Sequence, residues 1–319
     1  MPQARRASNR RDGAPRRDGA PRPDGAPRRN PAPRASPAPR RAAGPRTDAA
    51  PRSRTSDLTR RVVVAVPAAV IAIGFDDLGG VGWALLMALF AVLGLIELYR
   101  MLERWRPIPW IGFVVAVGMC AAARFGGLRD TIAVALVSLP LLLVVIAARP
   151  SIKDATVSIA GTVLGVFWLG IAFSHAVLLR QLPHGSGVVI DVMVGTFIAD
   201  VGAYFGGRAF GQRRLAPEIS PNKTVEGLVV GMIAAIVAVF VAHLYQSSWM
   251  TQTQALGLGV AIAILGPIGD LFESLVKREA GVKDAGNLFG AHGGVLDRLD
   301  AVAFTVVAGY YIWAAAVVH

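Results

Sequence analysis

Cysteine is almost absent from this chain: Cys120 is the one cysteine in 319 residues. No disulfide can form within the chain, so cysteine usage leaves the redox compartment open, and Cys120 itself reads as a small packed residue in an apolar run. Charge is scarce too, at 17% of residues against 54% hydrophobic, with a mean hydropathy of +0.50. That balance excludes an ordinary soluble domain and points to a multi-span membrane protein. Acids are outnumbered by bases, 21 to 33, for a net charge of +12, and much of the arginine lies before residue 62. Aromatics are missing from that basic stretch, so base stacking is excluded and no nucleic-acid partner is expected.

Residues 1–61 carry a six-residue repeat, RRDGAP, RRDGAP and RPDGAP, and little apolar surface to offset the entropy of ordering, which predicts a disordered tail. No apolar h-region follows its basic start, so it is not read as a signal peptide. Attachment to anionic lipid headgroups is the functional expectation, at about 1 kcal/mol per basic residue near the surface. The plain alternative is a solvated cytoplasmic tail that fixes topology.

From Val62 to His319 apolar runs recur between short polar breaks, which predicts an all-α polytopic membrane helix bundle in residues 62–319. About nine spans are expected, near Val62–Phe75, Gly79–Tyr99, Ile108–Ala123, Thr131–Ala148, Ala155–Leu179, Gly187–Phe205, Val225–Tyr245, Ala255–Leu275 and Leu299–Val318. Alternate loops collect Arg100, Arg104 and Arg106, then Arg149 and Lys153, then Arg208, Arg213, Arg214 and Lys223, then Lys277, Arg278, Lys283 and Arg298. The opposite loops hold Arg124, Arg129 and Arg180. The positive-inside rule therefore puts the N-terminus and the Ser274–Asp300 loop in the cytoplasm. Pro67, Pro140 and Pro267 should kink their spans, and Pro267 with Gly266 and Gly269 is expected to unwind a turn before Asp270. The pairs Gly161/Gly165 and Gly227/Gly231 have the spacing of close helix contacts.

The most polar stretch of the last third is Ser274–Asp300, set between two apolar runs. On the helix leading into it Asp270, Ser274 and Lys277 share a face, as do Asp297 and Asp300 at the start of the last run. A divalent cation takes carboxylate oxygens, and Mg²⁺ usually takes one or two of them plus substrate phosphates. Asp270, Asp297 and Asp300 can supply such a set. Lys277, Arg278, Lys283, His292 and Arg298 lie among them, with Gly293-Gly294 free to bring N–H groups close to an anion. The alternative is a charged loop held on one side of the membrane by its basic residues. Three carboxylates beside apolar spans are costly, which favours function.

A second polar group begins at Asp200 inside an apolar span, with Tyr204 one turn on. Its structural alternative is a buried partner for an arginine or tyrosine, while Asp191 is expected to face water at a helix end. The following loop offers Lys223 as a point charge for phosphate and Ser220, Asn222 and Thr224 as hydrogen-bonding groups. The same segment reads equally as a turn and N-cap opening the next helix.

The order SLVKR, VKD and HGGVLDRLD over residues 274–300 resembles the phosphatidate cytidylyltransferases, or CDP-diacylglycerol synthases, and Gly290-Ala291 departs from that family's usual Pro-Gly. The Asp200–Ala203–Tyr204 stretch leading to ISPNKT and Glu226-Gly227 is similar to the same family's upstream pattern. The resemblance runs from about Asp200 to Asp300. It implies transfer of the cytidylyl group of CTP to phosphatidate, releasing pyrophosphate, at the inner face of the plasma membrane. It also implies a homodimer. On this reading Asp270, Asp297 and Asp300 hold Mg²⁺ and a second cation, monovalent or divalent. Lys277 and Arg298 act with the acids; Lys223, Arg278 and Lys283 hold phosphates. Ser220, Asn222, Thr224, Ser274, Asp284, His292, Gly293 and Gly294 shape the substrate site, and Asp200 and Tyr204 line its cavity. The rival readings are a transporter of an anionic solute, which lacks support from any inverted repeat, and another metal-dependent lipid phosphotransferase, whose aspartate pattern is not found here.

Overall fold

A computed structural model describes residues 74, 79–286 and 293–318. The expected tail of residues 1–61, Pro67, His292 and all but Gly74 of the expected first span fall outside the described residues.

From residue 79 on, the described residues form eight long helices: α1 (Gly80–Met101), α2 (Pro109–Phe125), α3 (Leu128–Ala147), α4 (Ala155–Gln181), α5 (Gly185–Phe210), α6 (Val225–Gln246), α7 (Gln252–Ala280) and α8 (Leu296–Val318). They fall on the other eight expected spans. Seven are long and apolar enough to cross a membrane, and α2 is shorter. A bilayer core offers the backbone no hydrogen-bond partners, and a continuous helix satisfies its own. The chain is thus an all-α, multi-pass membrane bundle.

Two local features were not expected from the sequence. Between α5 and α6 the polar loop forms a small antiparallel hairpin, β1 (Arg214–Ala216) and β2 (Ser220–Thr224), pairing Arg214 with Thr224 and Ala216 with Ser220. Within α4, Val166–Gly170 forms a turn of π-helix. The unwound turn expected at Pro267 is not found: α7 runs unbroken through it, as a membrane helix can where its neighbours support the freed backbone group.

Packing explains the small residues. In lipid there is little hydrophobic drive between helices, so close fit and hydrogen bonds hold them. A Cβ on Gly227 or Gly231 would come within 2.7 Å of the carbonyl oxygens of Ala203 and Ala199, so α5 and α6 touch backbone to backbone. A Cβ on Gly165 would meet the Tyr99 hydroxyl at 2.6 Å, and that hydroxyl donates to Thr162 O at 2.9 Å, tying α1 to α4. Thr196 on α5 and Thr305 on α8 share a buried hydrogen bond of 3.0 Å, worth on the order of 0.6 kcal/mol in such a bundle.

Asp191 corrects an expectation. It does not face water at a helix end: it is 3% exposed, and its Oδ1 accepts from Gln246 Nε2 at 3.0 Å. The sequence places it near the start of α5, but α6 returns alongside and covers it. Among the described residues, Asp191 Oδ2 and Gln246 Oε1 have no hydrogen-bond partner. An asparagine there keeps the shape and can donate to Gln246 Oε1, so Asp191→Asn should leave the melting temperature of the detergent-purified protein unchanged or raised. A fall of more than about 5 °C would show that the carboxylate itself stabilises the fold.

Candidate active site

The two polar groups of the sequence meet at one end of the bundle. A cavity of about 620 Å³ is lined by Asp200, Tyr204 and Arg208 of α5, Ser220, Asn222, Lys223 and Thr224 of β2, and Pro267 and Asp270 of α7. Each element reaches it for a local reason. Thr224 is the N-cap of α6, its Oγ1 accepting from Gly227 N at 3.1 Å. That cap fixes the end of the strand that carries Lys223. Glu226, in the first turn of α6, accepts from Gln212 N at 2.9 Å and Arg213 N at 3.2 Å, holding the entry to β1. Arg278 Nε donates to Ile219 O at 3.1 Å, tying the hairpin to the end of α7.

Lys223 Nζ forms a salt bridge with Asp270 Oδ2 across the cavity. Asp200, exposed into the same space, lies within electrostatic reach of both. On the α8 side, Asp300 lies within reach of Asp270 and Asp200 and beside Glu273. The helices can come this close because a Cβ on Gly269 would meet Asp300 O at 2.6 Å and Ala301 Cα at 3.1 Å. Ser274 Oγ sits 3.5 Å from Asp270 Oδ1.

Asp297 is engaged differently. It accepts from Lys277 Nζ at 2.8 Å, from Ala285 N at 2.9 Å and from Gly294 N at 2.7 Å. Lys277 also pairs with Glu273 Oε2 at 2.5 Å. Asp297 thus gathers the two ends of the loop between α7 and α8. Among the described residues, no three Asp, Glu, His or Cys side chains converge closely enough to hold an ion by themselves.

Gly294 has a protein partner. The Gly294 N–H is taken by Asp297, and the next two N–H groups, Val295 and Leu296, donate to Glu97 at 3.1 and 2.9 Å. These N–H groups therefore grip protein carboxylates where a bound phosphate was expected. Lys283, Asp284 and Arg298 are exposed and are not among the residues lining this cavity.

Sequence reasoning missed Glu97 and Glu273. Glu273 is fully buried at 0% exposure, and its Oε1 has no hydrogen-bond partner among the described residues. Its signal was present, since it stands four residues before Lys277. Glu97 carried a weaker one, an acid inside an apolar run with no local partner.

Chemically, the end of the bundle offers a cavity with hard oxygen donors on two helices and a lysine on a clamped hairpin, a setting for a phosphate-bearing substrate and a cation. The profile of the cytidylyltransferase family matches residues 59–316. The phosphatidate cytidylyltransferase of Bacillus subtilis (strain 168) is 29% identical over 264 residues, covering 81% of this chain and 98% of that protein. That of Staphylococcus haemolyticus (strain JCSC1435) is 30% identical over 254 residues, covering 77% and 95%. That of Haemophilus influenzae is 43% identical over a shorter stretch of 127 residues, 39% of this chain and 44% of the relative. The chain therefore belongs to the cytidylyltransferase family and is a nucleotidyltransferase.

Proposed function

We propose that the enzyme transfers the cytidylyl group of CTP to phosphatidate, forming CDP-diacylglycerol and pyrophosphate. The observation that carries this reading is the convergence of Asp200, Asp270 and Lys223 on one cavity at the end of an apolar bundle, with Asp300 within electrostatic reach of both acids. A phosphate monoester is already a nucleophile at neutral pH. Its oxygen forms a bond to the α-phosphorus of CTP while the bond to the bridging oxygen breaks, and pyrophosphate leaves. Such a transfer needs positioning and charge neutralisation more than a strong base.

Asp270 and Asp300 suit Mg²⁺, which prefers one or two carboxylates completed by phosphate oxygens over an all-protein cage. The fully buried Glu273 stands beside Asp300 with one oxygen that has no hydrogen-bond partner among the described residues. When bound, Mg²⁺ supplies charge neutralisation between the two phosphate groups. Lys223, which lines the cavity in a salt bridge with Asp270, moves to a phosphate oxygen in this scheme. Asp297 holds Lys277 and the loop in register, and Arg208 meets a phosphate at the cavity's mouth. The acyl chains leave sideways into the bilayer. Cytoplasmic placement of this end, in the plasma membrane, follows from the loop charges, and a homodimer from the family resemblance.

Purified protein in detergent with phosphatidate, CTP and Mg²⁺ should release pyrophosphate; a transporter would leave CTP intact. Asp270→Asn and Asp300→Asn should each lower kcat by about 10²-fold or more while the protein still inserts and purifies. Lys223→Ala should raise KM for CTP or phosphatidate. Activity of either Asn variant near wild type would remove that carboxylate from the site.

A further inference from the structure

Glu97 lies far from the family-like motifs, in the body of α1, and is 5% exposed. Its two carboxylate oxygens each take one backbone N–H at the start of α8: Oε1 from Val295 and Oε2 from Leu296. Those N–H groups have no partner within the helix, and they stand at the positive end of its dipole, where a negative charge is favoured. The surrounding backbone is shaped to admit this carboxylate. A Cβ on Gly294 would come within 2.2 Å of Glu97 Oε2, and a Cβ on Gly286 within 2.3 Å of Oε1. Both ends of the loop between α7 and α8 therefore close on one side chain from another helix.

The neighbouring contacts extend the brace. Arg104, just beyond α1, donates to Glu279 Oε1 at 2.6 Å near the end of α7. Asp297, in the first turn of α8, reaches back to Ala285 and Gly294 from the other side. Displacing the first turn of α8 would shift Asp297 at once and Asp300 within one turn.

We propose that Glu97 is a positioning residue for the transfer reaction: an internal anion that seats the N-terminus of α8 and so sets where Asp297 and Asp300 stand. It touches neither substrate nor cation. This rests on the function proposed above, because Asp300, which it places, is one of the acids assigned to that reaction.

Glu97→Gln keeps the volume but replaces one acceptor with an N–H₂ that faces a donor; Glu97→Ala removes both acceptors. In the full-length protein in detergent, both should lower kcat, by about 10–100-fold for Ala and less for Gln, with KM for CTP within a few-fold of wild type. Hydrogen exchange over residues 293–300 should speed up in Glu97→Gln without a matching rise in α4 or α6. That local change is what a general loss of stability would not give. Wild-type kcat in both variants, or exchange at 293–300 that stays as protected as in wild type, would overturn the proposal. If wild-type protein itself shows no CTP-dependent pyrophosphate release, the functional reading fails, while the exchange result still decides whether Glu97 seats α8.

Discussion

Everything at the active end of this bundle depends on accommodating several carboxylates beside apolar spans. Asp200, Asp270, Glu273, Asp297 and Asp300 lie there, with Lys223 and Lys277 paired to them among the described residues. An ionised carboxylate withdrawn from water must find charge or hydrogen bonds, or it takes up a proton. The chain meets that demand in two ways. Asp297 is satisfied from within, by lysine and by backbone N–H groups; Asp200 and Asp270 line the cavity, where a ligand can reach them. The first builds the site and the other two are left to use it.

The division shows how backbone and side chain share one task. The loop between α7 and α8 carries a glycine pair of the kind that grips phosphate, yet its N–H groups grip Glu97 and Asp297. The same physics applies to either anion, since a helix N-terminus favours negative charge whatever its source. What the cavity then offers a substrate comes from side chains on α5, β2 and α7, set on helices whose paths are fixed by close backbone contact.

Much of this was legible in the sequence, for identifiable reasons. A span announces itself by length and apolarity, because lipid allows few alternatives, and eight expected spans became α1 to α8. Asp270 and Asp300 stood out because charge at the edge of a span is rare, and Lys223 because it rides in a polar loop of matching family pattern. Glu97 was not legible, since its partners lie about two hundred residues away and are backbone groups, which no side-chain pattern reveals. Asp191 was misjudged because position along a helix does not tell which neighbour returns to cover it. The hairpin around Lys223 escaped notice since its strands are short and polar, without the alternation that marks a half-buried sheet.

The contact between α5 and α6 has a mechanical consequence. Where glycine faces carbonyl, there is no side chain to rotate aside, so that wall of the cavity can neither swell nor slide without prising two backbones apart. The opposing wall is α7, which lacks one rung of its ladder at Pro267 and bends there at less cost. Any widening of the cavity for a bulky guest therefore falls to the α7 side and not to the α5–α6 contact.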